Sequence, residues 1–163
     1  MLPCIANKNV NSSLTTEAKH VDLVDCARSL ARLAHASQTD KAGLPYIDHV
    51  ARVAEGVAAN GHCREAVAAA WLHDVLEDQP QHVAAVLLFP AAIVEAVGLL
   101  TRKKGVATGT YYAGIRSNRI ALAVKVADIA DNSSVERLAL LSSEDRERLI
   151  VKYSKARTAL GLS

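Results

Sequence analysis

Aromatic residues are scarce in this chain of 163 residues, at one Trp, one Phe and four Tyr. A sheet-based core leans on aromatic and β-branched side chains, so the shortage argues against an all-β fold. Cysteine is also sparse. Cys4, Cys26 and Cys63 are odd in number and far apart, which fits a reducing cytosol and excludes a disulfide framework or a cysteine-built metal site. Charge of one sign is lacking too: nineteen Lys+Arg stand against seventeen Asp+Glu, a formal net charge of +2. The basic residues are dispersed apart from Arg102-Lys103-Lys104, which argues against a nucleic-acid partner. The longest apolar run, Val83 to Val94, is broken by Pro90 and is too short to cross a membrane. No basic start leads into a hydrophobic segment, so no secretion signal is expected and the expected location is the cytoplasm.

What the chain has instead is alanine, 29 of them, in a composition that is half hydrophobic. Small aliphatics favour closely packed helices, and the length suits one domain with its own core. Residues 1–15 are polar, Asn- and Ser-rich and without period, and read as a loose leader; residues 16–163 read as one domain. Within it the helical period predicts segments at about Thr16–Ser37, Tyr46–Asn60 and Arg64–Leu76, then two short helices in 81–100 divided at Phe89-Pro90. After a Gly- and Lys-rich loop at 101–110, further helices are expected over Tyr111–Arg116, Arg119–Asn132 and Ser143–Leu160. The expected fold is a single all-α bundle of six or more helices.

Chemistry concentrates in Leu72-His73-Asp74-Val75-Leu76-Glu77-Asp78. A bare His-Asp pair arises by composition in roughly one chain in three of this make-up, so the dipeptide alone proves nothing. On a continuous helix, Glu77 lies four residues from His73 and three from Asp74, and Asp78 lies four from Asp74. Four ionisable groups then share one side of an apolar helix, and crowded carboxylates invite a cation. The alternative is a pair of solvated acids at a helix end beside a hydrogen-bonded core histidine. Acids at a helix C-terminus oppose the macrodipole, which favours a site. A second group, Lys125, Asp128 and Asn132, shares one helical face, and by itself reads as an ordinary Lys-Asp surface pair. His49 follows Pro45-Tyr46 in the first turn of a helix and reads by itself as a surface residue, while His35 lies on an Ala-rich helix and reads equally as a core histidine. Arg102-Lys103-Lys104 reads as a solvated surface run, with a phosphate-attracting loop as the alternative.

Taken together and in order, these pieces resemble the HD-domain metal-dependent phosphohydrolases. They are most similar to the hydrolase domain of RelA/SpoT-type alarmone enzymes and their small single-domain relatives. The resemblance rests on Ala34-His35-Ala36-Ser37-Gln38, on Lys41-x-Gly43-x-Pro45-Tyr46-Ile47-x-His49, on Ala69 through Asp78, and on Val124-Lys125-Val126-Ala127-Asp128 with Asn132. It implies an all-α HD-domain bundle with His49, His73, Asp74 and Asp128 as metal ligands. Two imidazoles with two carboxylates suit a divalent transition metal, and the resemblance makes Mn²⁺ the first choice. It further implies that Glu77 and Asp78 orient or deprotonate the attacking water, that Lys41 and Lys125 contact phosphate, that Asn132 holds the sugar, and that Tyr46 shapes the pocket wall. The implied activity is hydrolysis of a small phosphorylated nucleotide, of the guanosine 3′,5′-bis(diphosphate) 3′-pyrophosphohydrolase type. The alternatives are another nucleotide, such as NADPH or a nucleoside phosphate, or an HD module that binds without turnover. An oligomer is left open. Three positions depart from the pattern: Phe89-Pro90 replaces a Phe-Gly and Gln79 a Thr, which touch structure more than chemistry, and, where alarmone hydrolases carry an arginine that packs on guanine, Asp40 precedes Lys41. A carboxylate cannot make that cation–π contact.

Overall fold

A computed structural model describes residues 22–162. The N-terminal leader, Cys4 and the expected helical residues before 22 lie outside the described residues.

The first helix, α1 (Leu23–Ala34), starts where the Asp22 carboxylate accepts the Val24 N–H at 2.8 Å, and it buries Ala27, Ala31 and Ala34 on one stripe. The loop that follows turns on Asp40, whose Oδ1 accepts the N–H groups of Ala42 (2.9 Å) and Leu44 (3.0 Å), while Gly43 adopts φ 78°. Helix α2 (Tyr46–Ala59) then turns His49, Val50, Val53, Ala54 and Val57 inward. Helix α3 (Arg64–Leu72) is buried on nearly every side and packs against α1, α2 and two later helices, which makes it the central element.

The helix expected over Arg64–Leu76 is not continuous. It ends at Leu72, and the short α4 (Val75–Asp78) restarts after His73 and Asp74. The His73 imidazole explains the interruption. Its Nδ1 lies 2.8 Å from the Ala70 carbonyl, the acceptor that an unbroken helix would offer to the Asp74 N–H. His73 and Asp74 therefore sit at a junction rather than on a shared helical face with Glu77 and Asp78.

After a 3₁₀ turn at Pro80–His82 come α5 (Val83–Val86) and α6 (Ala91–Leu100), divided at Phe89-Pro90 as expected. The Gly- and Lys-rich loop is shorter than the sequence suggests, because α7 (Thr108–Ser117) begins before Tyr111. Helix α8 (Arg119–Asn132) is capped by Asn118, whose Oδ1 accepts the N–H groups of Ile120 and Ala121, each at 3.0 Å. It packs on α2, α3, α6 and α7. The approach of α2 to α8 is close: a Cβ built on Gly56 would meet the Ala127 Cβ at 3.7 Å. Helix α9 (Val135–Ala139) has no counterpart among the expected segments, and α10 (Ser143–Leu160) closes the bundle against α7 and α8 before Gly161 ends it in the left-handed conformation.

The described residues form an all-α bundle, and none of their helices is long and apolar enough to cross a membrane. The core uses the alanines as anticipated: Ala68, Ala69, Ala70 and Ala121 are completely buried, and small side chains let α3 approach its neighbours.

Candidate metal centre and active site

Three parts of the bundle bring their ionisable side chains to one place. His49 comes from α2, His73 and Asp74 from the α3–α4 junction, and Asp128 from α8. His49 Nε2 lies 3.5 Å from Asp128 Oδ1 and 3.9 Å from Asp74 Oδ2. His73 Nε2 lies 3.0 Å from Asp74 Oδ2 and 4.0 Å from Asp128 Oδ1. His49, His73 and Asp128 are almost fully buried. Donor atoms about 2.0–2.2 Å from an ion stand about 3–4 Å from one another, which is the spacing found here.

The hydrogen bonds prepare both imidazoles for this arrangement. His49 Nδ1 is 2.7 Å from Asp131 Oδ2, and His73 Nδ1 is 2.8 Å from the Ala70 carbonyl. Each Nδ1–H donates to its oxygen, which leaves the Nε2 lone pairs turned toward the carboxylates. His73 Nε2 is buried without a hydrogen-bond partner; its short distance to Asp74 lies off the line that a hydrogen bond requires. An orphaned buried nitrogen beside a second free imidazole and two carboxylates fits a divalent transition metal.

The surrounding carboxylates favour a proton on each imidazole, which a metal would displace. Burial opposes charge on His73, but Asp74 and Asp128 outweigh it and raise its pKa to about 9. Burial likewise opposes ionisation of Asp74, yet the adjacent His73 holds it at about 2. Asp128 is held well below the ordinary carboxylate range, because Lys125 and the two imidazoles outweigh the burial cost. Tyr46 donates its hydroxyl to Asp74 Oδ2, and burial together with Asp74 pushes its pKa upward, so it stays a donor.

The remaining candidates surround this floor in a cavity of about 680 Å³. Glu77 and Asp78 both line it, although they belong to α4 rather than to the helix of His73. Glu77 Oε2 accepts the main-chain N–H of Arg102 at 2.7 Å, and Asp78 Oδ2 accepts the side-chain amide of Gln38 at 2.7 Å. Lys125 is not a surface residue. Its Nζ donates to the buried Asp128 at 2.8 Å, and this carboxylate raises its pKa against the effect of burial. Asn132 also donates to Asp128. Lys41 lines the cavity from the loop before α2. His35 is buried, and its Nδ1 contacts Gln38 Oε1 at 2.8 Å, so it supports the loop rather than joining the cluster.

Several contributors are not apparent in the sequence. Asp131 accepts from His49, Arg52 and Arg137, and its only local signal is its position three residues after Asp128. Arg137, from the unanticipated α9, pairs with Asp40 at 3.3 Å and with Asp131 at 3.4 Å. Asp40 is thereby engaged by two main-chain donors and one guanidinium. Lys152 and Tyr153 reach the cavity from α10; Tyr111 and Tyr112, which the scarcity of aromatic residues does mark as rings that could stack on a base, reach it from α7. Cys26 and Cys63 are free and lie outside the site.

The all-α fold and the convergent His and Asp side chains define the class, a helical domain with a candidate divalent-metal centre at the floor of a polar cavity. No family model matches the chain, and no curated protein matches it by sequence. A solved structure, that of a metazoan ortholog of SpoT that hydrolyzes ppGpp and plays a role in starvation responses, is similar to it with a TM-score of 0.69 at 23% identity. The likeness covers 86% of this chain and 85% of the other. The two share a fold, and the described residues form the all-α bundle that the sequence motifs imply.

Proposed function

We propose that this protein is a metal-dependent phosphohydrolase of a small phosphorylated nucleotide, of the guanosine 3′,5′-bis(diphosphate) 3′-pyrophosphohydrolase type. The observation that carries the reading is the cluster of His49, His73 and Asp74, whose donor atoms lie close enough together to hold one ion, with Asp128 Oδ1 3.5 Å from His49 Nε2 and 4.0 Å from His73 Nε2. The shared fold with a ppGpp hydrolase supports it. These four residues would hold a divalent metal, Mn²⁺ by the resemblance, which when bound supplies Lewis acidity at a phosphoryl oxygen and a more acidic water.

The chain's own residues supply the rest. Glu77 and Asp78 each have one carboxylate oxygen engaged by a protein donor, which leaves the other to orient the attacking water and take its proton. Water adds to phosphorus and the bond to the ribose 3′ oxygen breaks; the proton taken from water passes on to that oxygen, so the 5′-nucleotide leaves with a 3′ hydroxyl and the other product is pyrophosphate. Lys125, already committed to Asp128, adds positive charge at the floor, and Lys41 adds it at the rim. Asn132 gives one amide hydrogen to Asp128 and has a second for the sugar. Tyr46 forms the wall and fixes Asp74.

The test is a screen of the purified protein with Mn²⁺ against guanosine tetra- and pentaphosphate, NADPH, nucleoside mono-, di- and triphosphates, and an aryl phosphate. Metal-dependent hydrolysis is expected, with a loss of at least about a thousandfold in the His73→Ala, Asp74→Ala double variant. Full activity in that variant overturns the reading. A nucleotide that raises the melting temperature yet is hydrolysed under no metal makes the protein a binding module instead.

A further inference from the structure

The cavity is lined by Lys41, Arg102, Lys125, Arg137 and Lys152, and these cations differ in how they are neutralised. Lys125 is paired with Asp128, and Arg137 with Asp40 and Asp131. Among the described residues no carboxylate lies within 4.0 Å of the charged group of Lys41, Arg102 or Lys152. Lys152 rests on the Tyr153 ring at 5.1 Å, and Arg102 is held by both a ring and a hydrogen bond. Its guanidinium carbon sits 4.6 Å from the centre of the Tyr111 ring, and its Nη2 donates to Thr108 Oγ1 at 2.8 Å. Tyr111 is itself anchored, its hydroxyl donating to the Leu100 carbonyl at 2.8 Å. Among the described residues, Nη1 and Nε have no hydrogen-bond partner. A planar cation braced on an aromatic face, with part of its donor fork unspent and no carboxylate within 4.0 Å of its guanidinium nitrogens, is prepared for an oxyanion.

The main chain of the same residue faces the chemistry, since its N–H is the donor that holds Glu77 Oε2. The guanidinium is therefore tied through one residue to a carboxylate of the active site. We propose that Arg102 is a specificity residue that holds a phosphate of the substrate other than the one attacked, and so selects nucleotides phosphorylated at a second position. This rests on the phosphohydrolase reading and extends it, because a base-packing arginine is absent at position 40 and Asp40 is consumed by its own loop and by Arg137. Recognition shifts from the base toward a distal phosphate gripped from the α6–α7 loop. A free surface lysine would supply attraction only; the stacked fork supplies geometry as well.

The experiment compares wild type, Arg102→Ala, Arg102→Lys and Thr108→Val, each checked for native circular dichroism. Kinetics use guanosine tetraphosphate and an aryl phosphate that has no second phosphate. Calorimetry with inorganic pyrophosphate and the metal-free proteins reads binding without turnover. For Arg102→Ala the KM for the tetraphosphate is expected to rise roughly 10- to 100-fold with kcat changed little, and pyrophosphate affinity to fall by a similar factor, the scale of a lost hydrogen bond to a charged group. The loss in kcat/KM for the tetraphosphate should exceed any loss for the aryl phosphate at least about tenfold. Arg102→Lys and Thr108→Val should fall between, the first by losing the fork and the second by losing the brace. Unchanged KM and unchanged pyrophosphate affinity in Arg102→Ala overturn the inference while hydrolysis by the wild type leaves the function standing. Absence of hydrolysis together with pyrophosphate binding that depends on Arg102 has the opposite meaning: the function fails and the anion site remains.

Discussion

A buried histidine serves a metal only when its second nitrogen is occupied, and here the two imidazoles achieve this with different partners. His73 uses a carbonyl from its own helix, whereas His49 depends on Asp131, a side chain that belongs to another helix. Removing Asp131 should therefore free the His49 tautomer and ring orientation. In Asp131→Ala we expect metal affinity to fall about 10- to 100-fold, read by direct metal titration; an unchanged affinity would show that the Asp131 bond does not prepare His49. This contact was not legible in the sequence. Asp128 and Asp131 are three residues apart on one helix, and only the path of α2 decides which faces a ring nitrogen and which braces the other. The same limit explains Lys125 and Asp128, whose spacing is that of any surface pair, because burial is a property of what packs over a helix face rather than of its spacing.

Elements differ in how far they can be read beforehand. Tyr46–Ala59, Arg119–Asn132 and Ser143–Leu160 follow the sequence reading to within a residue, because each has a full apolar period and a clear stop or cap. The α3–α4 interruption contains no Gly or Pro to announce it and arises from one side chain competing for a carbonyl. Helix α9 has five residues, too few for a period to show. Of the long elements, α8 bears most on function, since it carries Lys125, Asp128, Asp131 and Asn132. Its first turn is fastened by the paired acceptance at Asn118. Asn118→Ala should lower unfolding free energy by about 1 kcal/mol, measured by chemical denaturation. A loss within experimental error would show that packing alone secures this end.

At the scale of the molecule, the donor cluster joins α2, α8 and the α3–α4 junction, so an ion there stabilises only the assembled bundle. At a free concentration one hundred times Kd the stabilisation is about 2.7 kcal/mol. Its pH dependence follows from the metal-free protein. The pKa of His73, raised from 6.5 to about 9, means that the folded chain binds this proton more tightly than the unfolded chain does. The stability that this proton contributes is complete below pH 6.5 and is lost as pH rises toward 9. Metal and proton compete for Nε2, so the increment in melting temperature on adding Mn²⁺ to chelator-treated protein should grow between pH 6.5 and 9. An increment that stays flat or shrinks across that window would rule out this competition.

Asp131 has one more role that its hydrogen bonds alone do not reveal. It lines a second cavity of about 310 Å³ on the other side of α8, with Arg52, Gly56, Val57 and Asn60. The front cavity is lined by Asp74 and Asp128. The rear cavity reaches the partner of His49 instead. The donor cluster is thus two-sided, with its carboxylates Asp74 and Asp128 reached from one cavity and the His49–Asp131 pair from the other.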